Sequence, residues 1–403
     1  MAKNTVKSRV VCAEKQKCEE PFRTGKTVVF LLCFLGFFAV FAIPMGLSNA
    51  INTMINTAYA LLVDTVLYIM AMAVIAGAIS ALLTEFGVVT MLNRILSPLI
   101  YPLYGMPGAA ALGIVTTYLS DNPAILTLAD DPAYRQYFKK YQIPALTNLG
   151  TSFGMGLIVT TFMLGLGNRL EGPIVLSVLC GNLGAVVGSI VSTRLMLRAT
   201  RKVFGKEQLA ASVIVETLSS PAKTEKKAHG AIGILTTLMN GGKKGVELGL
   251  GIIPGVLIVC TLVMMLTNGP SASCEYTGGA YEGVALLPWI SEKLKFILSP
   301  LFGFSDPAGI AVPITALGSA GAALGLIPSL IESGQASCGD VAVFMAMCMC
   351  WSGYLSTHVS MMDVLRCDEM TGKAILSHTV GGFFAGIVAH WLFAFASWLV
   401  TVL

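Results

Sequence analysis

Seven stretches of this chain, 27–47, 57–83, 143–168, 172–198, 246–267, 340–365 and 373–402, stay apolar over the roughly 20 residues that a helix needs to cross a ~30 Å hydrocarbon core. Inside a bilayer only helices and closed barrels satisfy their own backbone, and runs this long without strand alternation leave the helix. The fold expected is therefore an all-α polytopic membrane protein. Composition agrees: 55% of residues are hydrophobic, only 12% are charged, and the mean hydropathy is +0.76. The first run follows Lys3, Lys7, Arg9, Arg23 and Lys26. It is too long for a signal peptide and no small-residue cleavage pattern closes it, so it is expected as a retained span in a plasma-membrane protein.

Charge orders these spans. Arg198 to Lys244 carries Arg201, Lys202, Lys206, Lys223, Lys226, Lys227 and Lys243 against Glu207, Glu216 and Glu225, which marks it, like the basic N-terminus, as cytoplasmic. The basic turn Arg135, Lys139, Lys140 falls on the same side. The loop carrying Glu275, Glu282 and Glu292, and the segment with Glu332 and Asp340, fall outside. The net charge of +4 thus reports topology, and no nucleic-acid-binding face is implied.

Two further apolar regions, 86–130 and 288–331, are interrupted too often for straight helices: by Pro98, Pro102, Gly105, Pro107 and Gly108 in one, and by Pro300, Gly303, Pro307, Gly309 and Pro313 in the other. Each reads as an interfacial helix followed by a re-entrant hairpin. ILSPL opens both, at 95–99 and 297–301. Past a two-residue gap the offset settles at 200, pairing Pro107 with Pro307, Ser152 with Ser352, and Gly172, Leu176, Ser177, Gly181 and Ala185 with Gly372, Leu376, Ser377, Gly381 and Ala385. Asp64 and Glu247 likewise open the first span of each unit. The organisation expected is a cytoplasmic N-terminus (1–26), an extra helix and loop (27–56), unit one (57–198), a basic cytoplasmic linker (199–245) and unit two (246–403). With about seven spanning helices and two hairpins, the charge pattern sets the units in opposite orientations. An inverted repeat with a broken helix in each half points to a transporter's midplane site.

Within the first hairpin the run YLSDNPAIL sets Ser120, Asp121 and Asn122 at the tip, with Pro123 at the first position of the returning helix, where its missing N–H costs nothing. Irregular backbone at that depth faces protein or a water-filled cavity, and a buried Asp in a membrane is a functional residue by default. The next span supplies Thr147, Asn148, Thr151 and Ser152, and the one after it Asn182. In unit two the matching tip holds Ser319, followed by Ser352, Ser356, Thr357 and His358. These residues form the candidate solute or ion site, chemically asymmetric because only one tip carries a carboxylate. The competing reading makes Asp121 and Asn122 a simple helix cap at the cytoplasmic interface. His378 and His390 read as hydrogen bonders between helices. The GxxxG pairs Gly150/Gly154, Gly184/Gly188, Gly251/Gly255, Gly321/Gly325 and Gly382/Gly386 read as packing positions.

The run SDNPAI (Ser120 to Ile125) with FKKYQIPALTNLGTSFG (Phe138 to Gly154) resembles the gate domain, or nucleoside recognition domain. That domain is shared by concentrative nucleoside transporters, spore maturation proteins A and B, and the membrane part of ferrous iron permeases. The resemblance covers each repeat unit. It implies a substrate site at the hairpin tips and adjacent unwound helices, and a facilitated or cation-coupled permease; the nucleoside comes from the family label alone. The iron-permease tip resembles Gly-Cys-Asn-Val-Pro-Ala; Asn122, Pro123 and Ala124 approximate it, but the cysteine is missing, which argues against iron.

Other classes lack support. No P-loop, GxSxG elbow or HExxH is present, and Ser356 and His358, two residues apart, fall on different helix faces, so no enzyme is expected. The ten cysteines show no CxxC pairing of a zinc site, and Cys33, Cys180, Cys260, Cys348 and Cys350 lie in apolar runs. Cys274 and Cys338 are expected to be reachable from outside. The function expected is secondary-active or facilitated transport of a small polar solute coupled to Na⁺ or H⁺, with no cofactor. Its partners are the solute and the bilayer, and the architecture is compatible with a homo-oligomer. The alternative is a non-transporting assembly or signalling protein of the spore maturation type.

Overall fold

The computed structural model describes residues 24–120, 122–130, 132–205, 231–271, 274–318, 320–352 and 354–402. Among them every regular element is helical, and six helices are long and apolar enough to cross a membrane, or seven if one bent pair counts as a span. The chain is an all-α, multi-pass membrane protein.

Helix α1, Thr24–Met45, is almost wholly exposed and apolar, as a helix facing lipid must be. After Gly46, whose φ of 77° turns the chain, α2 runs Leu47–Glu85 without interruption. Residues 47–56, expected as a loop, are its first turns. Their Asn/Thr pattern hides the span from hydropathy because one side docks on a polar loop: Asn49 donates to the Tyr276 carbonyl and Asn56 to the Gly278 carbonyl, both at 2.8 Å, and Thr57 Oγ1 accepts from the Tyr281 N–H. The first half continues with α3 (Val88–Tyr104), α4 (Ala110–Leu119), α5 (Pro123–Asp130), α6 (Ala145–Thr151), α7 (Gly156–Gly165) and α8 (Ile174–Phe204). The second half opens with α9, helical from Ala231 to Thr267. Then come α10 (Leu286–Lys293), α11 (Lys295–Phe302), α12 (Ala311–Gly318), α13 (Ala320–Glu332), α14 (Cys338–Cys350), α15 (Tyr354–Val364) and α16 (Thr371–Val402). α8 and α9 therefore extend into 199–245, whose middle, like the N-terminal segment 1–23, lies outside the described residues.

Both halves thus run through one sequence of parts: a long helix, a short proline-bearing helix, a hairpin, a broken span and a long final helix. Each ILSPL lies on the short helix before its hairpin, with Pro98 and Pro300 inside α3 and α11. The long helices α2 and α9 each contain a π-helical segment, Leu61–Val66 and Val256–Cys260. These widened turns meet at the second hairpin, where Thr65, Val256 and Cys260 surround Gly325 and the Cys260 thiol donates to the Ala322 carbonyl.

Burial separates centre from rim. In the broken span Lys140–Arg169, 72% of the apolar window is buried, against 11% for Thr27–Met45 and 17% for Asp368–Val402, so the broken spans occupy the middle. The final helices α8 and α16 hold them together. A Cβ on Gly184 would lie 2.5 Å from the Ala385 carbonyl oxygen, and one on Gly188 2.6 Å from that of Gly381. Such backbone contact is the packing expected of GxxxG. Gly251 departs from that expectation: nothing lies within 4 Å of its would-be side chain.

Candidate functional site

The expected span 143–168 does not stay helical. α6 ends at Thr151 and α7 begins at Gly156, with Ser152–Met155 unwound. The sequence explains the break. Thr151 and Ser152 turn their hydroxyls back to the carbonyls of Thr147 (2.8 Å) and Asn148 (2.7 Å), which weakens the helical ladder, and Gly154 and Gly156 are poor helix formers. Met155, at φ 57°, completes the turn. The second half repeats the event 200 residues later: α14 stops at Cys350, Trp351 and Ser352 are non-helical, and α15 resumes at Tyr354.

The first hairpin tip meets both breaks. α4 ends at Leu119 and α5 starts at Pro123, as the sequence reading expects. Asn122, 4% exposed, donates from Nδ2 to the Ser352 carbonyl at 3.0 Å and to Ser352 Oγ at 3.3 Å. A Cβ on Gly154 would fall 1.8 Å from Asn122 Oδ1 and 2.8 Å from Ser352 Oγ, and one on Gly150 2.5 Å from Ile125 of α5. Gly150 and Gly154 therefore receive the hairpin, which corrects the expectation of a plain helix–helix pair, and Gly154 belongs to the site.

The other expected residues distribute unevenly. Ser120 is exposed at the tip, its hydroxyl bonded to the Thr116 carbonyl at 2.7 Å. Asp121 and Ser319 lie outside the described residues. Thr147, Asn148, Thr151, Ser152, Ser352 and His358 are all 0% exposed. Asn148 donates to Ser192 Oγ (3.0 Å) and to the Ala374 carbonyl (2.9 Å), tying α6 to α8 and α16. Asn182 stands in a separate cluster: its Oδ1 accepts from Tyr118 Oη at 3.1 Å, and Tyr118 also bonds Thr160 Oγ1 at 2.8 Å. His358 donates from Nδ1 to the Tyr354 carbonyl, and its ring centroid lies 4.6 Å from that of His378. His378 is hydrogen-bonded at both nitrogens, Nδ1 with Ser192 Oγ at 2.9 Å and Nε2 with the Cys350 carbonyl, as expected for a histidine between helices.

Sequence reasoning missed Ser192, Gly154 and the Tyr118–Thr160 pair. Ser192 continues the small-residue stripe of α8 and looks like packing; only its position opposite Asn148 and His378 gives it a polar role. Tyr118 could be read, since it precedes the tip by two residues. Cys274 is exposed as expected, whereas Cys338 is buried at the start of α14, its thiol against the Glu171 carbonyl at 3.7 Å.

Solved structures share this fold. A doubly substituted variant of the concentrative nucleoside transporter CNTnw in an outward-facing state superposes with a TM-score of 0.52 at 14% identity, over 82% of this chain and 75% of that one. A second doubly substituted variant, also outward-facing, gives 0.50 at 13% identity over 82% and 76%. A singly substituted variant in an intermediate state gives 0.50 at 12% identity over 91% and 85%. No family model and no curated protein matches the chain. At these identities the likeness establishes the fold. This chain has the fold of a concentrative nucleoside transporter.

Proposed function

We propose that this protein is a secondary-active or facilitated transporter of a small polar solute, with nucleosides as the first class to test, coupled to Na⁺ or H⁺. It would work in the plasma membrane with its N-terminus in the cytoplasm and its units, 57–198 and 246–403, in opposite orientations. The observation that carries the reading is Asn122: a hairpin tip from the first half bonded to the unwound backbone of the second, with Gly154 from the first half's own break beside them. Unwound backbone inside a membrane protein leaves N–H and C=O groups that a polar solute or ion can complete. The gate-domain resemblance of SDNPAI supports the reading, and Asp121 and Ser319 join the site on the sequence alone.

Closed burial of the polar layer is the observation that favours the other reading, a membrane assembly protein of the spore maturation type. A thermal-unfolding screen of purified protein against nucleosides, amino acids and cations separates the two. A transporter is stabilised by its solute, by about 2.7 kcal/mol at a hundredfold excess over Kd. A saturable rise in midpoint with one solute class is expected. A flat response across the panel speaks for the assembly protein.

A further inference from the structure

The two buried histidines sit beside the hairpin–break junction, and their surroundings assign their protons. A backbone carbonyl only accepts, so His358, bonded to the Tyr354 carbonyl through Nδ1, carries its hydrogen there and presents a lone pair at Nε2. His378 is the opposite tautomer: Nε2–H donates to the Cys350 carbonyl and Nδ1 accepts from the Ser192 hydroxyl, which itself accepts from Asn148. His378 therefore has both ring nitrogens in hydrogen bonds, and a second hydrogen there requires the Ser192 hydroxyl to turn its own hydrogen away. His358 Nε2 is fully buried and has no partner. Asn148 Oδ1 and Thr147 Oγ1, on α6, which packs against α15, also lack partners. Two of these three atoms can only accept, so this layer is short of hydrogen-bond donors.

We propose that His358 Nε2 is the proton-binding site through which this protein couples transport to a proton gradient. This rests on the transport reading and names its coupling ion. The proton comes from water on the side to which the site opens and forms the imidazolium of His358. The pair holds one proton, because two charged rings 4.6 Å apart repel each other, and His358 takes it because its Nε2 is the ring nitrogen without a partner. The surroundings supply little compensating charge among the described side chains. α16 presents His378, while Lys373 at its start is exposed and His390 lies further along the helix, against Gly303. α6 and α12 carry no titratable side chain, and α5, which also packs against α15, carries Asp130 at its last position. On α15 itself stand Tyr354 and the exposed Asp363, and in the turn beyond it the exposed Arg366, Asp368 and Glu369 and the half-buried Cys367. In the closed arrangement a charged His358 is thus unfavourable until a solute acceptor or an opened water path completes Nε2. That requirement ties proton movement to solute movement.

The test has two arms. In the first, nitrogen-labelled histidine is followed by NMR in nanodiscs from about pH 8 to 4. Wild type is expected to show one buried ring of each tautomer and to bind a single proton at the Nδ1–H ring, a signal that His358→Gln removes. Two independently titrating rings, or a proton landing on His378, overturns the proposal. In the second, proteoliposomes take up radiolabelled uridine or adenosine with and without an inward pH gradient. One proton per solute allows about tenfold accumulation per pH unit. For His358→Gln, the ratio of uptake with the gradient to uptake without it is expected to fall to about one, whereas Ser192→Ala, which frees His378 Nδ1, retains a response with an altered pH profile. An undiminished ratio in His358→Gln, or a wild type driven only by Na⁺, overturns it. If neither nucleoside is taken up, the choice of solute class fails, and the NMR arm still decides the proton site.

Discussion

At the residue scale, the site depends on one absent side chain. Gly154→Ala puts a methyl where Asn122 Oδ1 sits, and the carboxamide cannot step aside without giving up Ser352. Overpacking of this kind costs typically 1–3 kcal/mol, so the unfolding midpoint should drop and solute stabilisation with it. Gly251→Ala serves as the contrast, having open space around it; it should leave the midpoint unchanged or slightly raised. Equal losses in both variants would mean that Gly154 is merely a helix glycine. Much of this was legible beforehand: the Ser-Asp-Asn-Pro interruption located the tip, and the 200-residue offset paired Ser152 with Ser352. What could not be read was the partner of Asn122. A hydrogen bond between residues 230 apart leaves no local trace.

At the element scale, the loop after α9 acts as a cap on the first turns of α2. Its fold is organised by Glu282, 5% exposed, whose carboxylate accepts from Thr277 N–H and Oγ1 and from the Gly278 N–H. Burial alone would raise its pKa, but the Thr277 hydroxyl and the N–H groups of Thr277, Gly278 and Gly279 outweigh it and hold the group below its ordinary 4.5. A carboxyl with a lowered folded pKa stabilises fully above its unfolded value and loses that contribution as pH falls through the folded one. The midpoint difference between wild type and Glu282→Gln should therefore be largest near neutral pH and shrink below about pH 4.5; a gap that does not change with pH would remove the carboxylate from the account. Hydropathy passed over this element. The Asn and Thr residues of 47–56 look like a loop until the loop they bind is seen, and the π-helical segments, which lie against the second hairpin, have no signature in residue propensity.

At the scale of the whole molecule, the proposal that the two halves have opposite orientations rests on the charge pattern of the sequence, and cysteine accessibility tests it. In intact cells the exposed Cys274 should react with an impermeant maleimide, and the half-buried Cys367 only after permeabilisation. Cys338, being buried, should resist both. Labelling of Cys367 from outside would contradict the orientation. The central claim, that the first hairpin tip and the two unwound spans form a solute site, is tested most directly by counterflow. Proteoliposomes loaded with an excess of one unlabelled nucleoside at a time are given that nucleoside in labelled form, and wild type is compared with Asn122→Ala. Transient accumulation by wild type that Asn122→Ala lowers at least tenfold, at matched protein incorporation, is the predicted result. No accumulation of any nucleoside, or equal accumulation by both proteins, would contradict it.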